Sequence, residues 1–142
     1  MRAYMIDMLK LFGIVFLRFQ WVPRLWCVWL VAVNAASLAF LEHIEGQIVL
    51  AVTTVAVAVQ TVVYRRIGFT RILGTAHILW IPMFAWMATR IDTIAQYPAL
   101  SDWILVLLAT NAISLGVDAI DAFRFWRGER RPHYLWDHQQ FG

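Results

Sequence analysis

Long apolar runs separated by short polar ones organise the chain. The runs cover residues 22–41, 48–64, 72–89 and 103–123. Each is close to the roughly 20 apolar residues a helix needs to cross a hydrocarbon core of about 30 Å. The second run, VLAVTTVAVAVQTVV, is rich in β-branched residues and would read as a strand in water. In lipid a lone strand leaves its backbone groups unpaired, so a helix is expected instead. An outer-membrane barrel is excluded, because it needs at least about eight short alternating segments. The pattern therefore predicts an all-α polytopic membrane protein with four transmembrane helices. The links at 42–47, 65–70 and 90–101 are short, which makes neighbouring helices antiparallel and adjacent in one bundle. Gly46 and Gly68 suit the first two turns. Pro23 suits the first turn of the first crossing, and Ser101 followed by Asp102 reads as the N-cap of the fourth.

Residues 1–20 follow a different pattern. Their apolar core, residues 11–17 between Lys10 and Arg18, is too short to span. On a helical wheel Arg2, Asp7, Lys10, Arg18 and Gln20 share an arc of about 160°. Met1, Met5, Met8, Phe12, Phe16 and Phe19 crowd the other side. The segment is expected to lie as an amphipathic helix in the interface. A cleaved signal peptide is the rival reading, but no small-residue cleavage site follows Phe19.

Composition supports the membrane assignment. Hydrophobic residues make up 61% of the chain and charged residues 15%. A soluble domain carries about 45–50% and about 25%, and a disordered chain is poorer still in apolar residues. A single cysteine, Cys27, rules out a disulfide within the chain. The net charge of +3 is scattered between apolar runs rather than gathered on one face, so no nucleic acid is expected as a partner.

Charge also sets an orientation. With four crossings, eleven of the 12 lysine and arginine residues fall on one side, and Arg90 stands alone on the other. The positive-inside rule then puts both termini in the cytoplasm. The expected location is a bacterial inner membrane. Arg65, Arg66, Arg124, Arg127, Arg130 and Arg131, with Trp126 and Trp136 in the basic aromatic tail (124–142), should meet anionic headgroups or a partner.

Polar groups inside a membrane are costly and by default point inward. Asn34 and Asn111 fall near mid-depth. Gln60, His77 and Asp118 share a level nearer the basic end. On the fourth run Asn111, Ser114, Asp118 and Asp121 are spaced i, i+3, i+7, i+10, which is one helical face. This stripe, together with Asn34, Gln60 and His77, is the candidate polar path or inter-helix network. A histidine beside a carboxylate changes charge near neutral pH, which suits a proton or cation path. Alternatively, the stripe is hydrogen-bonding glue between helices, with Asp121 meeting Arg124 or Arg127 at the headgroups. Pro82 should kink the third helix and is a hinge candidate. Pro132 should end the helix that leaves the membrane. Asn34-Ala-Ala-Ser37-Leu echoes Asn111-Ala-Ile-Ser114-Leu. Ala32, Ala35, Ala36 and Ala39 would let the first helix approach a neighbour closely.

No cofactor or metal is expected. His43 and His77 fall at opposite ends and cannot share a haem. Cys27 has no companion ligand, and His133, Asp137 and His138 match no standard ligand set. Asp118 and Asp121 are spaced like magnesium-holding aspartates, but such a site needs acidic residues on another helix. No nucleophile elbow, HExxH motif or phosphate loop occurs. The leading expectation is a small accessory, scaffolding or regulatory membrane protein, packed as a homo-oligomer or in a larger complex. The alternatives are a homo-oligomeric channel or transporter for protons, cations or a small solute, and a small enzyme acting on lipid.

Overall fold

Helix ends in this chain are set by glycine, proline and one arginine more than by side-chain caps. The computed structural model describes residues 2–129, which are helical without a strand. Arg130, Arg131, Pro132 and Trp136 lie outside the described residues. Helix α1 (Arg2–Gly13) runs into a π-helical turn, Ile14–Arg18. The Arg24 guanidinium donates to the Leu17 and Phe19 carbonyls, which ties the end of that turn to α2 (Trp21–Ala35). Pro23 sits in the first turn of α2, where its missing N–H needs no partner. Helix α2 then tightens into a 3-10 segment, Ala36–Phe40.

Helix α3 spans Ile44–Ile67 and overruns the apolar run at both ends. Gly46 packs against the Phe40 carbonyl, and a Cβ there would collide with it. Gly68 ends the helix at φ +75°, with its N–H on the Tyr64 carbonyl at 2.8 Å. Helix α6 spans Pro98–Trp126. Pro98 stands in its first turn, three residues ahead of Ser101. Ser101 is therefore not the N-cap, and its own N–H bonds the Tyr97 carbonyl. At the far end Gly128 (φ +100°) donates to Phe125 and Glu129 to Arg124, a Schellman pair that closes the helix. The helix thus stops ahead of Pro132, for a backbone reason the sequence reading overlooked.

Three stretches are long and apolar enough to cross a membrane: Trp21–Phe40, Ile44–Ile67 and Pro98–Trp126. They suggest an integral membrane protein. The third apolar run is the exception. It forms a nine-residue 3-10 segment, Arg71–Leu79, followed by α4 (Trp80–Ala88). Pro82 falls in the first turn of α4, so the departure from α-geometry precedes the proline rather than centring on it. Helix α5 (Ile91–Ile94) fills the following link.

The period of three has a visible cause. Arg71, Gly74, His77 and Trp80 are three residues apart, and a 3-10 helix eclipses such residues on one face. An α-helix, at about 100° per residue, would swing Arg71 roughly 180° away from Trp80. The 3-10 segment lays this row along α6, its most extensive neighbour.

Packing is uneven along the molecule. Val33, Val49, Trp80, Met83, Met87, Leu100, Trp103 and Leu107 form a buried core toward the end marked by the Glu45–Arg90 ion pair (2.7 Å). Phe40 stacks on Trp103 there. Toward the basic end, Ile14 and Phe19 form a smaller cluster with Tyr64 and Phe69. Helix α1 packs on α3: the Tyr4 hydroxyl donates to the Ala58 carbonyl, and Asp7 pairs with Arg65 at 3.0 Å. Its inward face is Tyr4, Asp7, Leu11 and Ile14, whereas Met5 of the expected apolar arc is exposed. Ala32, Ala35 and Ala39 also face outward, and only Ala36 packs against the core within the chain.

Candidate functional site

Helix α6 carries its polar stripe as one face, whose upper members meet α2 and whose lower members meet the 3-10 segment. Thr110 accepts from the Trp29 indole at 3.1 Å, and Ser114 accepts from Trp26 at 3.2 Å. Asn111, fully buried, exchanges two amide hydrogen bonds with Asn34 at 2.9 and 3.1 Å. Asn34 also donates to the Leu30 carbonyl and accepts from Thr53. Its amide is thereby saturated.

Closer to the basic end, Asp118 accepts from His77 Nδ1 at 2.7 Å. With that proton on Nδ1, Nε2 is free to accept from the Gln60 amide 3.0 Å away, so His77 bridges α3 to α6. The imidazole stacks nearly parallel on Trp80, with ring centroids 4.1 Å apart. Gly74 makes room for the carboxylate, since a Cβ at that position would strike Asp118. The sequence reading placed Gln60, His77 and Asp118 at one level. The structure brings these three into contact, and it joins Asn34 to Asn111 in a separate pair.

Asp121 differs from expectation. It meets neither Arg124 nor Arg127 but Arg71, at 2.6 Å, with both side chains buried. Glu129 approaches the same guanidinium at 3.8 Å. Arg71 falls between the 65–70 link and the third apolar run, where a loop position is expected. The 3-10 winding turns it inward on the same face as His77. Arg65 and Arg66 are exposed, as is Trp126, and Arg127 lies over the Phe123 ring at 5.7 Å.

The tryptophans were missed, although the echo around the asparagines could have found them. Extending it backward aligns residues 26–38 with 103–115, with Trp, Leu, Ala, Asn, Ala, Ser and Leu identical at seven of thirteen positions. In each helix a tryptophan stands eight residues before the asparagine and a serine three after it. The paired asparagines lie at the centre of this antiparallel arrangement. Trp26 reaches Ser114, but Trp103 donates to the Val33 carbonyl at 3.0 Å rather than to Ser37. The Ser37 hydroxyl is buried without a partner among the described residues. The likeness between α2 and α6 reads as one packing solution used twice.

Beside these networks lies a cavity of about 390 Å³. Its walls come from α1 and the π-helical turn, α2, α3, the 3-10 segment and α6, and are mostly apolar. Gln60, His77, Asp118 and Cys27 supply polar atoms to it. The chain matches no protein-family model, no curated protein and no solved structure.

Proposed function

We propose that the protein is a small accessory or regulatory component of a membrane, acting by packing against its own copies or a larger complex. The supporting observation is the full commitment of the α6 stripe. Thr110, Asn111, Ser114, Asp118 and Asp121 each hold a different residue of another segment. Asp118 and Asp121 are engaged by His77 and Arg71 rather than poised for lipid chemistry. The same pairing leaves no continuous row of free polar groups for a path through one subunit. The outward Ala32, Ala35 and Ala39 offer another helix a close approach.

In this reading the chain crosses the membrane four times. Nine 3-10 residues at about 2.0 Å and nine α residues at about 1.5 Å give Arg71–Ala88 a reach of about 31 Å, enough for a hydrocarbon core of about 30 Å. Arg18, Arg24, Arg65, Arg66, Arg71, Arg124 and Arg127 then gather at one end, which makes that end cytoplasmic. The location is a bacterial inner membrane, with α1 at the inner interface and the basic end facing anionic lipid.

Purification in mild detergent with native mass measurement tests the accessory role. A homo-oligomer or a stable complex is expected. A monomer that co-purifies with nothing would overturn it.

A further inference from the structure

The cavity has a position, a mouth and an unused chemistry. Val22 and Val31 line it from the two opposite edges of the cavity-facing side of α2, and they are 55% and 42% exposed. The opening is therefore apolar and faces sideways, where acyl chains lie if α2 crosses the membrane. Arg24, the nearest cation in the sequence, is pinned to the carbonyls of Leu17 and Phe19 instead. A molecule reaching the interior this way must itself be lipid-soluble. Its volume suits one such molecule, because ligand pockets run from about 300 to 1,000 Å³ with few polar groups.

The polar wall decides what the head of that molecule must be. Both nitrogens of His77 are engaged and Asn34 is saturated. What remains is chiefly acceptor capacity, Gln60 Oε1 and the lone pairs of Asp118 beyond the one His77 uses, beside the second N–H of the Gln60 amide and the Trp80 indole N–H, which has no partner among the described residues. A head that only accepts, such as an ether or ester, can take a neutral N–H but leaves the Asp118 carboxylate without a donor. A carboxylate would bring a second negative charge against Asp118. A hydroxyl donates to Asp118 and accepts from the spare Gln60 N–H, whereas an ammonium group donates to both acceptors and adds a charge opposite to the carboxylate.

We propose that this cavity binds a lipid-soluble molecule with a single hydrogen-bond-donating head, held against Gln60 and Asp118 while its apolar body lies between α2, α3 and the π-helical turn. The inference shares the membrane placement proposed above but not the accessory role, so the detergent mass result leaves it untouched.

Cys27 makes the test direct, because the chain's single cysteine lines the cavity. The protein is reconstituted in phosphatidylcholine vesicles, and N-ethylmaleimide modification of Cys27 is followed by intact mass. Dodecylamine, dodecanol, dodecyl methyl ether and dodecanoate are added in turn. The amine or the alcohol should slow modification saturably, with the ether and the carboxylate having little effect at equal membrane concentration. Stronger protection by the amine identifies a cationic head, and equal protection identifies a hydroxyl-type head. In Gln60→Leu, chosen because it leaves the His77–Asp118 contact in place, the protecting ligand should weaken by about tenfold. Equal protection by the ether, protection by none, or unchanged affinity in Gln60→Leu overturns the assignment. Because a thiol in apolar surroundings is a poor nucleophile whether or not the cavity is open, the free protein is first brought to a pH at which Cys27 is fully modified, and the ligands are compared there.

Discussion

The two halves of this molecule are built from the same helices and packed in opposite ways. Toward the Glu45–Arg90 end, Trp80, Trp103, Met83, Met87 and Leu107 fill the space between α2, α3, α4 and α6. Toward the basic end the same α2, α3 and α6 surround a hollow of about 390 Å³, held open by polar pairs. The Asn34–Asn111 pair stands at the boundary. Large aromatic and thioether side chains close one half. In the other, Gly74, Ala56, Ser114 and the valines leave room, and cohesion passes to directed bonds. Shape holds the first half together and chemistry holds the second, so the two should respond differently to the same kind of substitution.

The largest contrast is expected from the buried ion pair. Asp121→Ala removes the buried carboxylate 2.6 Å from the Arg71 guanidinium, and unfolding in detergent should show a loss of about 3–5 kcal/mol. Combining Arg71→Met with Asp121→Leu should restore most of it, since two apolar side chains leave no charge behind. If the double variant is as unstable as the single one, charge pairing is not what holds the hollow half.

Next come matched truncations. Leu107→Ala, in the filled half, should cost about 2–5 kcal/mol. Leu73 is also buried but borders the cavity, where one side already lacks partner atoms. Leu73→Ala should cost at most about half as much. Equal losses would erase the distinction.

Enlargement should reverse the order. Val49→Phe overpacks the filled half and should cost about 1–3 kcal/mol. Ala56→Leu projects into the cavity and should cause no net loss. It should also slow Cys27 modification, which separates filling the cavity from merely tolerating a larger residue.

The smallest effect is at the boundary. Asn34→Leu and Asn111→Leu should each destabilise, and together they should lose less than their sum. The coupling is expected near 0.6 kcal/mol, roughly the average for hydrogen bonds between membrane helices. Strict additivity would mean the pair is not a pair.

Much of this architecture is legible in the sequence. The three spans of the first, second and fourth runs follow from apolar length alone, and the stripe on α6 follows from its spacing. What escaped was governed by backbone winding and by contacts between distant segments. Helix α6 begins at Pro98 and ends at Trp126, closed by Gly128, beyond both ends of the apolar run used to find it. The third run looked like another α-helix because hydropathy does not register a period of three carried by a charge, a glycine, a histidine and a tryptophan. Arg71 looked like a loop cation for the same reason, and Asp121 was assigned its nearest neighbours in sequence instead of its partner across the fold. Trp26 and Trp29 are typical apolar residues of a crossing until their indole N–H groups are traced to Ser114 and Thr110.

The 3-10 segment has a mechanical consequence. Its turns are drawn out by about 0.5 Å per residue relative to an α-helix, so nine residues hold about 4–5 Å of extra length. Rewinding them into α form would retract one end by that distance and fan the row from Arg71 to Trp80 around the axis. His77 and Arg71 would leave Asp118 and Asp121 together, without any helix sliding as a body. The registry of both pairs is thus stored in the pitch of one short thread, as the teeth of a key are set by how its blade is cut.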